Sequence, residues 1–296
     1  MSTRPRFSVV VPAHNEADTL PAALASLAAQ HCSAPYEVIV VDNASTDATA
    51  TVAARAGAIV VAEPRLGVCR ARQTGVAAAR GEIVVSTDAD TTLPPDWLAR
   101  IDATFLAHDA AGTPVVAVAG PCRYVDPPWW AATIPPLWFA GIAALAKAGR
   151  GVRYITATNV AFVRDRFPGY DVSLHQGGDE MDLLRTLRRL GSVVWDQELV
   201  VDTSSRRMRE GLPYTVLVSY GYYYVGQRLR RRLLGRSAIT PAPTVRTVDT
   251  TRSARRRRRW GRATVGALGG VMVVQIGLRG RRPRRPRSAG AERIIL

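Results

Sequence analysis

The side chains best suited to chemistry gather in four short polar clusters. Asp88-Ala89-Asp90 follows the apolar run that begins at Ile83. Two carboxylates one residue apart, where a strand gives way to a loop, can turn towards a single hard divalent cation. They fill little of its coordination shell, so such a cation, Mg2+ or Mn2+, would be held chiefly through a substrate's phosphates. There it would neutralise charge developing on a departing diphosphate. Asp179-Glu180 supplies a second pair, in which one member is a candidate base for an attacking group. Acids in the first turn of a helix are favourable for dipole reasons alone, and Asp182 would serve that purpose equally. The preceding Gly177-Gly178 tips the reading towards a ligand, because two glycines let it approach the backbone closely. Asn15-Glu16 and Asp42-Asn43 complete the set.

These clusters need a scaffold, and the apolar pattern predicts one. Residues 7–12, 37–41, 58–62 and the stretch opening at Gly81 are apolar along their length, as strands buried on both faces are. Helical spacing fills 19–30 and 68–80, and Ser45 or Thr46 is positioned to cap a helix running through Ala53. The first ninety residues therefore read βαβαβαβ, a parallel sheet covered by helices. Ligands of such sheets sit outside the carboxyl ends of the strands. Asn15-Glu16, Asp42-Asn43 and Asp88-Ala89-Asp90 all fall at those ends. Any one of them alone is as well explained by a turn or a cap; three at matching positions make a site.

Further along, 96–106 reads as a helix, 115–119 as a strand, 154–163 as extended chain, and 192–195 and 199–201 as short strands. Residues 127–146 are uncharged and hold Trp129, Trp130, Trp138 and Phe139 together with two Pro-Pro pairs. Their length matches a membrane span, but the prolines argue against a straight one. A core helix after a Pro-rich loop and a Trp-rich interfacial segment are the two readings. Residues 214–234 read as a Tyr-rich helix, 237–252 as a linker, and 263–278 as a short apolar stretch between arginines, suited to lying on an anionic membrane surface.

The chain has 296 residues and a net charge of +16. Residues 203–296 carry 23 Arg and three acids, so the basic character belongs to the C-terminal third and the body is close to neutral. Specific nucleic-acid binding is therefore not expected. Three scattered cysteines, Cys32, Cys69 and Cys122, exclude a disulfide framework and a thiolate zinc site, and suit a reducing compartment. No secretory signal precedes the first strand, which points to the cytoplasm. The chain contains no P-loop, no G-x-G-x-x-G after the first strand and no nucleophile elbow, so ATPase, dehydrogenase and serine-hydrolase readings fall away.

Taken together, Val-Val-Val-Pro-Ala-His-Asn-Glu at the first strand, Val-Val-Asp-Asn-Ala-Ser-Thr-Asp at the second, Gly67-x-x-x-Ala71-Arg72-Gln73-x-Gly75, Asp88-x-Asp90 and Gly-Gly-Asp-Glu-x-Asp-Leu at 177–183 resemble a family 2 glycosyltransferase over residues 7–210. The resemblance implies an α/β GT-A fold, a mostly parallel sheet flanked by helices. It implies a catalytic domain over 1–205, with a donor half to about 120 and an acceptor half beyond it. A helical extension (206–236), a linker (237–262) and a basic tail (263–296) follow. It implies that Pro12, Ala13, His14, Asn15, Glu16 and Asp42 hold the nucleobase and ribose, and that Gly67, Arg72, Asp88 and Ala89 belong to the donor site. Asp90, with Asp88, would ligate Mg2+ or Mn2+. Gly177, Gly178 and Asn159 would lie on the acceptor side. The family's base is usually the second acid of a Glu-Asp pair; here the order is Asp179-Glu180, which assigns Glu180. Arg65 and Gln73 stand where relatives often carry Asn. His175 reads as a loop residue rather than a ligand, and 203–207 as a basic loop or a segment that closes over the diphosphate.

The implied reaction is an inverting transfer from a nucleotide-diphosphate sugar, UDP being the expected nucleotide. The expected acceptor is a hydroxyl, lipid-linked or otherwise related to the cell envelope, at the cytoplasmic face of an anionic membrane. A sugar-nucleotide pyrophosphorylase would need a Gly-rich basic loop after the first strand, and 12–16 contains no glycine. A binding module gripping nucleic acid through its tail sits poorly with the near-neutral body.

Overall fold

The computed structural model describes residues 4–174 and 179–215. Gly177, Gly178 and His175 lie outside the described residues, as do the linker, the tail and nearly all of the expected Tyr-rich helix. In chain order the elements are β1 (Phe7–Ala13), α1 (Leu20–Ala28), β2 (Tyr36–Asp42), α2 (Thr49–Arg55), β3 (Ile59–Ala62), α3 (Val68–Ala78), β4 (Ile83–Ser86) and β5 (Thr91–Thr92). Then come α4 (Trp97–Ala110), β6 (Val115–Ala119), β7 (Cys122–Val125), α5 (Trp129–Leu145), β8 (Val160–Val163), α6 (Asp179–Leu190), β9 (Ser192–Trp195) and β10 (Val201–Ser204).

Seven strands form one sheet in the order β3-β2-β1-β4-β8-β6-β9. Only β8 runs antiparallel, to both β4 and β6. The inner strands β1, β4, β6 and β8 pack on both faces, which is why their sequences are apolar, while the edge strands β3 and β9 are only partly covered. In β1, Val9 and Val11 face a core shared with Leu20 and Leu27 of α1 and Trp97 and Ile101 of α4. Val10, between them, faces the other core, with Ile39, Val41 and Leu183, Leu184 and Leu187 of α6. Each such fully buried side chain contributes about 1.5–3 kcal/mol.

The packing of α3 on this sheet depends on a glycine. A Cβ on Gly75 would stand 2.3 Å from Val10 Cγ1, so only glycine lets the helix press this tightly on β1. Arg72, one turn earlier on the same helix face, is thereby carried to the end of β4.

At the amino end of the sheet, Glu37 is nearly buried. Its Oε1 accepts hydrogen bonds from Ser8 Oγ (2.6 Å) and the Arg80 backbone N–H (2.7 Å), and Arg80 Nη2 lies 2.7 Å from Oε2. Burial alone would raise this carboxyl's pKa, but the donors from Ser8 and Arg80 outweigh it and hold the group below its ordinary 4.5. The linked stability is therefore full above the unfolded-state pKa and is lost as pH falls through the lowered folded value. Glu37→Gln places an amide donor where two donors already converge. It is expected to cost about 1–3 kcal/mol in chemical denaturation and to flatten the decline in stability below pH 4.5.

The structure departs from the sequence reading in several places. A second, three-stranded sheet, β5-β10-β7, was not anticipated. Its strands are two to four residues long, and β10 occupies Val201–Ser204 rather than 199–201. The extended reading of 154–163 holds only for β8; the chain before it turns. Ser45 and Thr46 cap no helix. Ser45 Oγ accepts from the Asn15 N–H (2.9 Å), and the Thr46 N–H donates to Asn15 Oδ1 (2.6 Å). The loops after β1 and β2 are thus sewn to each other. Asn15, at φ +51°, takes a left-handed conformation that asparagine tolerates. Within residues 127–146, Trp129–Leu145 form the helix α5, which contains Pro135 and Pro136 in its interior. It packs Phe139 and Ile142 into the main core.

Candidate active site

The polar clusters meet where the sheet predicts, beyond the carboxyl ends of β1, β2 and β4. Asp88 leaves β4 with both oxygens engaged: Arg72 Nη2 donates to Oδ1 (2.8 Å) and Thr158 Oγ1 to Oδ2 (2.6 Å). Burial would raise its pKa, but the charge of Arg72, the Thr158 hydroxyl and the charge of Arg207 outweigh it and hold the carboxyl below its ordinary value. Asp88 is therefore an ionised, oriented group.

Asp90 differs. Burial pushes its carboxyl up to about 6; the Arg206 charge opposes this, while the neighbouring charges of Asp88 and Glu16 add to it. Arg206 Nη2 stands 3.1 Å from Asp90 Oδ2. The same guanidinium grips Glu16, with Nη1 2.7 Å from Oε2 and Nη2 on Oε1. Three carboxylates, Glu16, Asp88 and Asp90, thus converge with Arg72 and Arg206 as counter-charges. The small sheet makes this possible. β10 pairs with β5 directly after Asp90, and the Ser204 N–H donates to the Asp90 carbonyl (3.2 Å), which delivers Arg206 to the site.

The expected acceptor side falls on α6. Leu183, Leu184 and Leu187 anchor it in the core. Cys122, at the start of β7, feels charges from both α6 and the end of β4. Burial pushes its thiol up to about 12, and the charges of both Asp88 and Glu180 add to that shift. Glu180 is half-buried, whereas Asp182 is tied to Arg185 of its own helix (2.9 Å) and lines a different, small cavity with Cys69 and Tyr170. Of the Asp179-Glu180 pair, the side chain of Asp179 lies outside the described set.

Other expected residues take different roles. Asn159 is completely buried. Its amide donates to the carbonyls of Pro121 (3.0 Å) and Leu199 (2.6 Å) and accepts from Trp97 Nε1 (3.0 Å). It braces β8 against the chain around Pro121 and Leu199. Ala89 is a core residue. Gly67 opens α3 and donates its N–H to Asn43 Oδ1 (2.8 Å), so Asn43 ties the loop before α3 to the end of β2. Asp42 Oδ1 accepts from the Ser45 N–H at 3.2 Å. Pro12 and Ala13 end β1, Ala13 within the core, and His14 follows in the loop. Two participants went unnoticed in the sequence: Thr158, a lone hydroxyl in a turn, and the pairing of Arg206 with Glu16.

The donor set suits a cation shared with a substrate. Among the described residues no three His, Cys, Asp or Glu side chains form a ready cage. Asp90 and Asp88 would supply one or two oxygens, and the guanidinium charges of Arg72, Arg206 and Arg207 beside them suit the phosphates that would complete the shell.

The sequence model described as "Glycosyl transferase family 2" matches residues 8–163. The chain belongs to this family. Among curated family members, an uncharacterized glycosyltransferase of Mycobacterium tuberculosis is 48% identical over 99 residues, which is 32% of this chain and 43% of that one. The undecaprenyl-phosphate 4-deoxy-4-formamido-L-arabinose transferase of Aeromonas hydrophila is 33% identical over 116 residues, covering 36% of each chain. The chain thus spans less than half the length of these relatives. Among solved structures, a mannosyltransferase from Pyrobaculum calidifontis, in complex with GDP-Man and Mn2+, superposes with a TM-score of 0.52 at 27% identity. That match covers 68% of this chain and 57% of the other. The fold is GT-A: α/β, with a mostly parallel central sheet flanked by helices.

Proposed function

We propose that this family 2 member is an inverting glycosyltransferase. It moves a sugar from a nucleotide-diphosphate donor to a hydroxyl acceptor, lipid-linked and presented at the cytoplasmic face of an anionic membrane. The observation that carries the reading is the convergence of Asp88, Asp90 and Glu16 with Arg72 and Arg206 at the strand ends. The catalytic domain is taken as 1–205 together with the Arg206 loop, and the remainder as appendages.

In this reading Asp42 and the loop of Pro12, Ala13, His14 and Asn15 receive the base and ribose. Arg72, held on Asp88, and Arg206 face the diphosphate. Asp90 and Asp88 would hold Mg2+ or Mn2+, which when bound supplies charge neutralisation for the leaving nucleoside diphosphate. Glu180 takes the acceptor hydroxyl's proton as the oxygen attacks the anomeric carbon from the face opposite the leaving group. Gly177 and Gly178 are assigned to the acceptor rim. The names of two relatives support the partners: a lipid phosphate in the Aeromonas transferase, and GDP-Man with Mn2+ in the archaeal complex. UDP stays the expected nucleotide, with GDP as its rival.

A thermal-shift screen of UDP-, GDP- and dTDP-sugars with Mn2+ tests the donor. One nucleotide series should raise the melting temperature in a metal-dependent way, and no shift with any of them would remove the donor reading. Arg206→Gln gives a second test. It leaves Glu16 and Asp90, both mostly buried, without their cation. Stability is expected to fall by about 1–3 kcal/mol, less than for a fully buried pair because the guanidinium is partly solvated. Mn2+ should restore part of the loss in calorimetry; unchanged stability would show that the three groups are not coupled.

A further inference from the structure

Eight large apolar side chains stand exposed among the described residues, and five of them, Val125, Trp129, Ile134, Leu137 and Trp138, fall within one stretch of fourteen residues. Trp129 is 82% exposed and Leu137 67%. The opposite side of α5 is fully used. Trp130, Phe139, Ile142 and Ala143 are buried, and Phe139 stacks on Trp195 at 5.9 Å. From Ile134 the spacing to Leu137, Trp138 and Gly141 follows one helix face, so the outward side is an apolar stripe rather than scattered exposure.

The surrounding charge names the occupant. No acid occurs between Asp126 and Asp165, while Lys147, Arg150 and Arg153, all exposed, follow the apolar stripe. Tryptophans beside an aliphatic stripe, closed by cations, match the interface of an anionic bilayer. The segment Trp129–Arg150 is long and apolar enough to cross a membrane. Crossing would, however, strip Phe139 and Ile142 from the main core, and Pro135 and Pro136 lie inside the helix.

We propose that this face of α5 lies flat in the headgroup region of an anionic bilayer. Trp129, Leu137 and Trp138 reach the acyl boundary, and Lys147, Arg150 and Arg153 meet lipid phosphates. The face also adjoins the site. Asp126, just before α5, accepts a hydrogen bond at its carbonyl from Ser205 Oγ (2.9 Å), the residue preceding Arg206. Docking would therefore bring the Arg206 loop close to the lipid surface, where a lipid-linked acceptor enters. This last step rests on the proposed function, whereas the docking itself does not.

The test uses the full chain with phosphatidylglycerol-rich vesicles carrying brominated acyl chains, in 0.5 M salt to screen attachment through residues 203–296 (Debye length about 4 Å). Tryptophan emission should be quenched, and most of the quenching should vanish in the Trp129→Phe/Trp138→Phe variant, which keeps the stripe apolar. Leu137→Ser/Trp138→Ser should weaken vesicle partitioning about 10-fold under the same conditions. All variants change exposed positions, and equal melting temperatures would confirm that they fold. Equal quenching in wild type and the double Phe variant would overturn the proposal. So would a lipid-free dimer that dissociates in the Ser variant, which would assign the face to a second copy. Blue-shifted Trp129 and Trp138 emission without lipid would also overturn it, by showing the face covered by the chain itself. None of these readouts involves donor turnover, so their failure leaves the transfer reading intact.

Discussion

Asp90→Ala is expected to lower metal-dependent donor turnover by about 10³-fold or more, equivalent to several kcal/mol of lost leaving-group stabilisation. Three features single out this residue. It is the carboxylate whose protonation is most favoured by burial, with a pKa pushed up to about 6. It shares its cation, Arg206, with Glu16. And unlike Asp88, whose oxygens are spent on Arg72 and Thr158, it has an oxygen set free whenever Arg206 moves towards a bound diphosphate. Asp88→Ala should act differently. It releases Arg72 and Thr158, so it should raise the donor's KM as well as lower kcat. Steady-state kinetics with varied Mn2+ separate the two, and full activity in Asp90→Ala would remove the site assignment.

Glu180→Gln is the second large effect. It preserves shape and removes the base, so transfer should fall by about 10²–10⁴-fold, the usual worth of general-base catalysis. Nucleotide affinity should change little, because Glu180 belongs to α6 and the nucleotide to the ends of β1, β2 and β4. Asp182→Asn serves as the control. Asp182 sits on the same turn but pairs with Arg185, so its loss should leave the rate nearly unchanged. An unimpaired Glu180→Gln would move the base to Asp179 or elsewhere.

How much of the fold and site was legible in the sequence depends on where each interaction's partners lie. Strands buried on both faces write continuous apolar runs, so β1 to β4 and the polar clusters at their ends could be read directly. Helix α6 was legible from its leucine spacing. The short strands were not: β5 has two residues, and its partner Thr203 is 112 positions away from Thr91. No local pattern records such a pairing. Arg206 could be seen only as part of a basic loop, because its partner Glu16 is 190 residues distant. The family resemblance places Asn159 on the acceptor side; its hydrogen bonds to Trp97, Pro121 and Leu199 reach across the sequence and no local pattern records them. Ser45 and Thr46 looked like helix caps because they stand just before a helical stretch. Their hydroxyl and amide groups instead fasten Asn15, and with it the loop expected to receive the nucleobase.

The central claim is that the carboxylates beyond β4 hold a divalent cation together with a nucleoside diphosphate. Paramagnetic titration of free Mn2+ against the full chain, with and without UDP or GDP, tests it most directly. One of the two nucleotides is expected to draw Mn2+ into a one-to-one complex, and Asp90→Asn should abolish that gain while still giving a cooperative melting transition. Mn2+ binding that neither nucleotide strengthens, or equal binding by wild type and Asp90→Asn, would contradict the account.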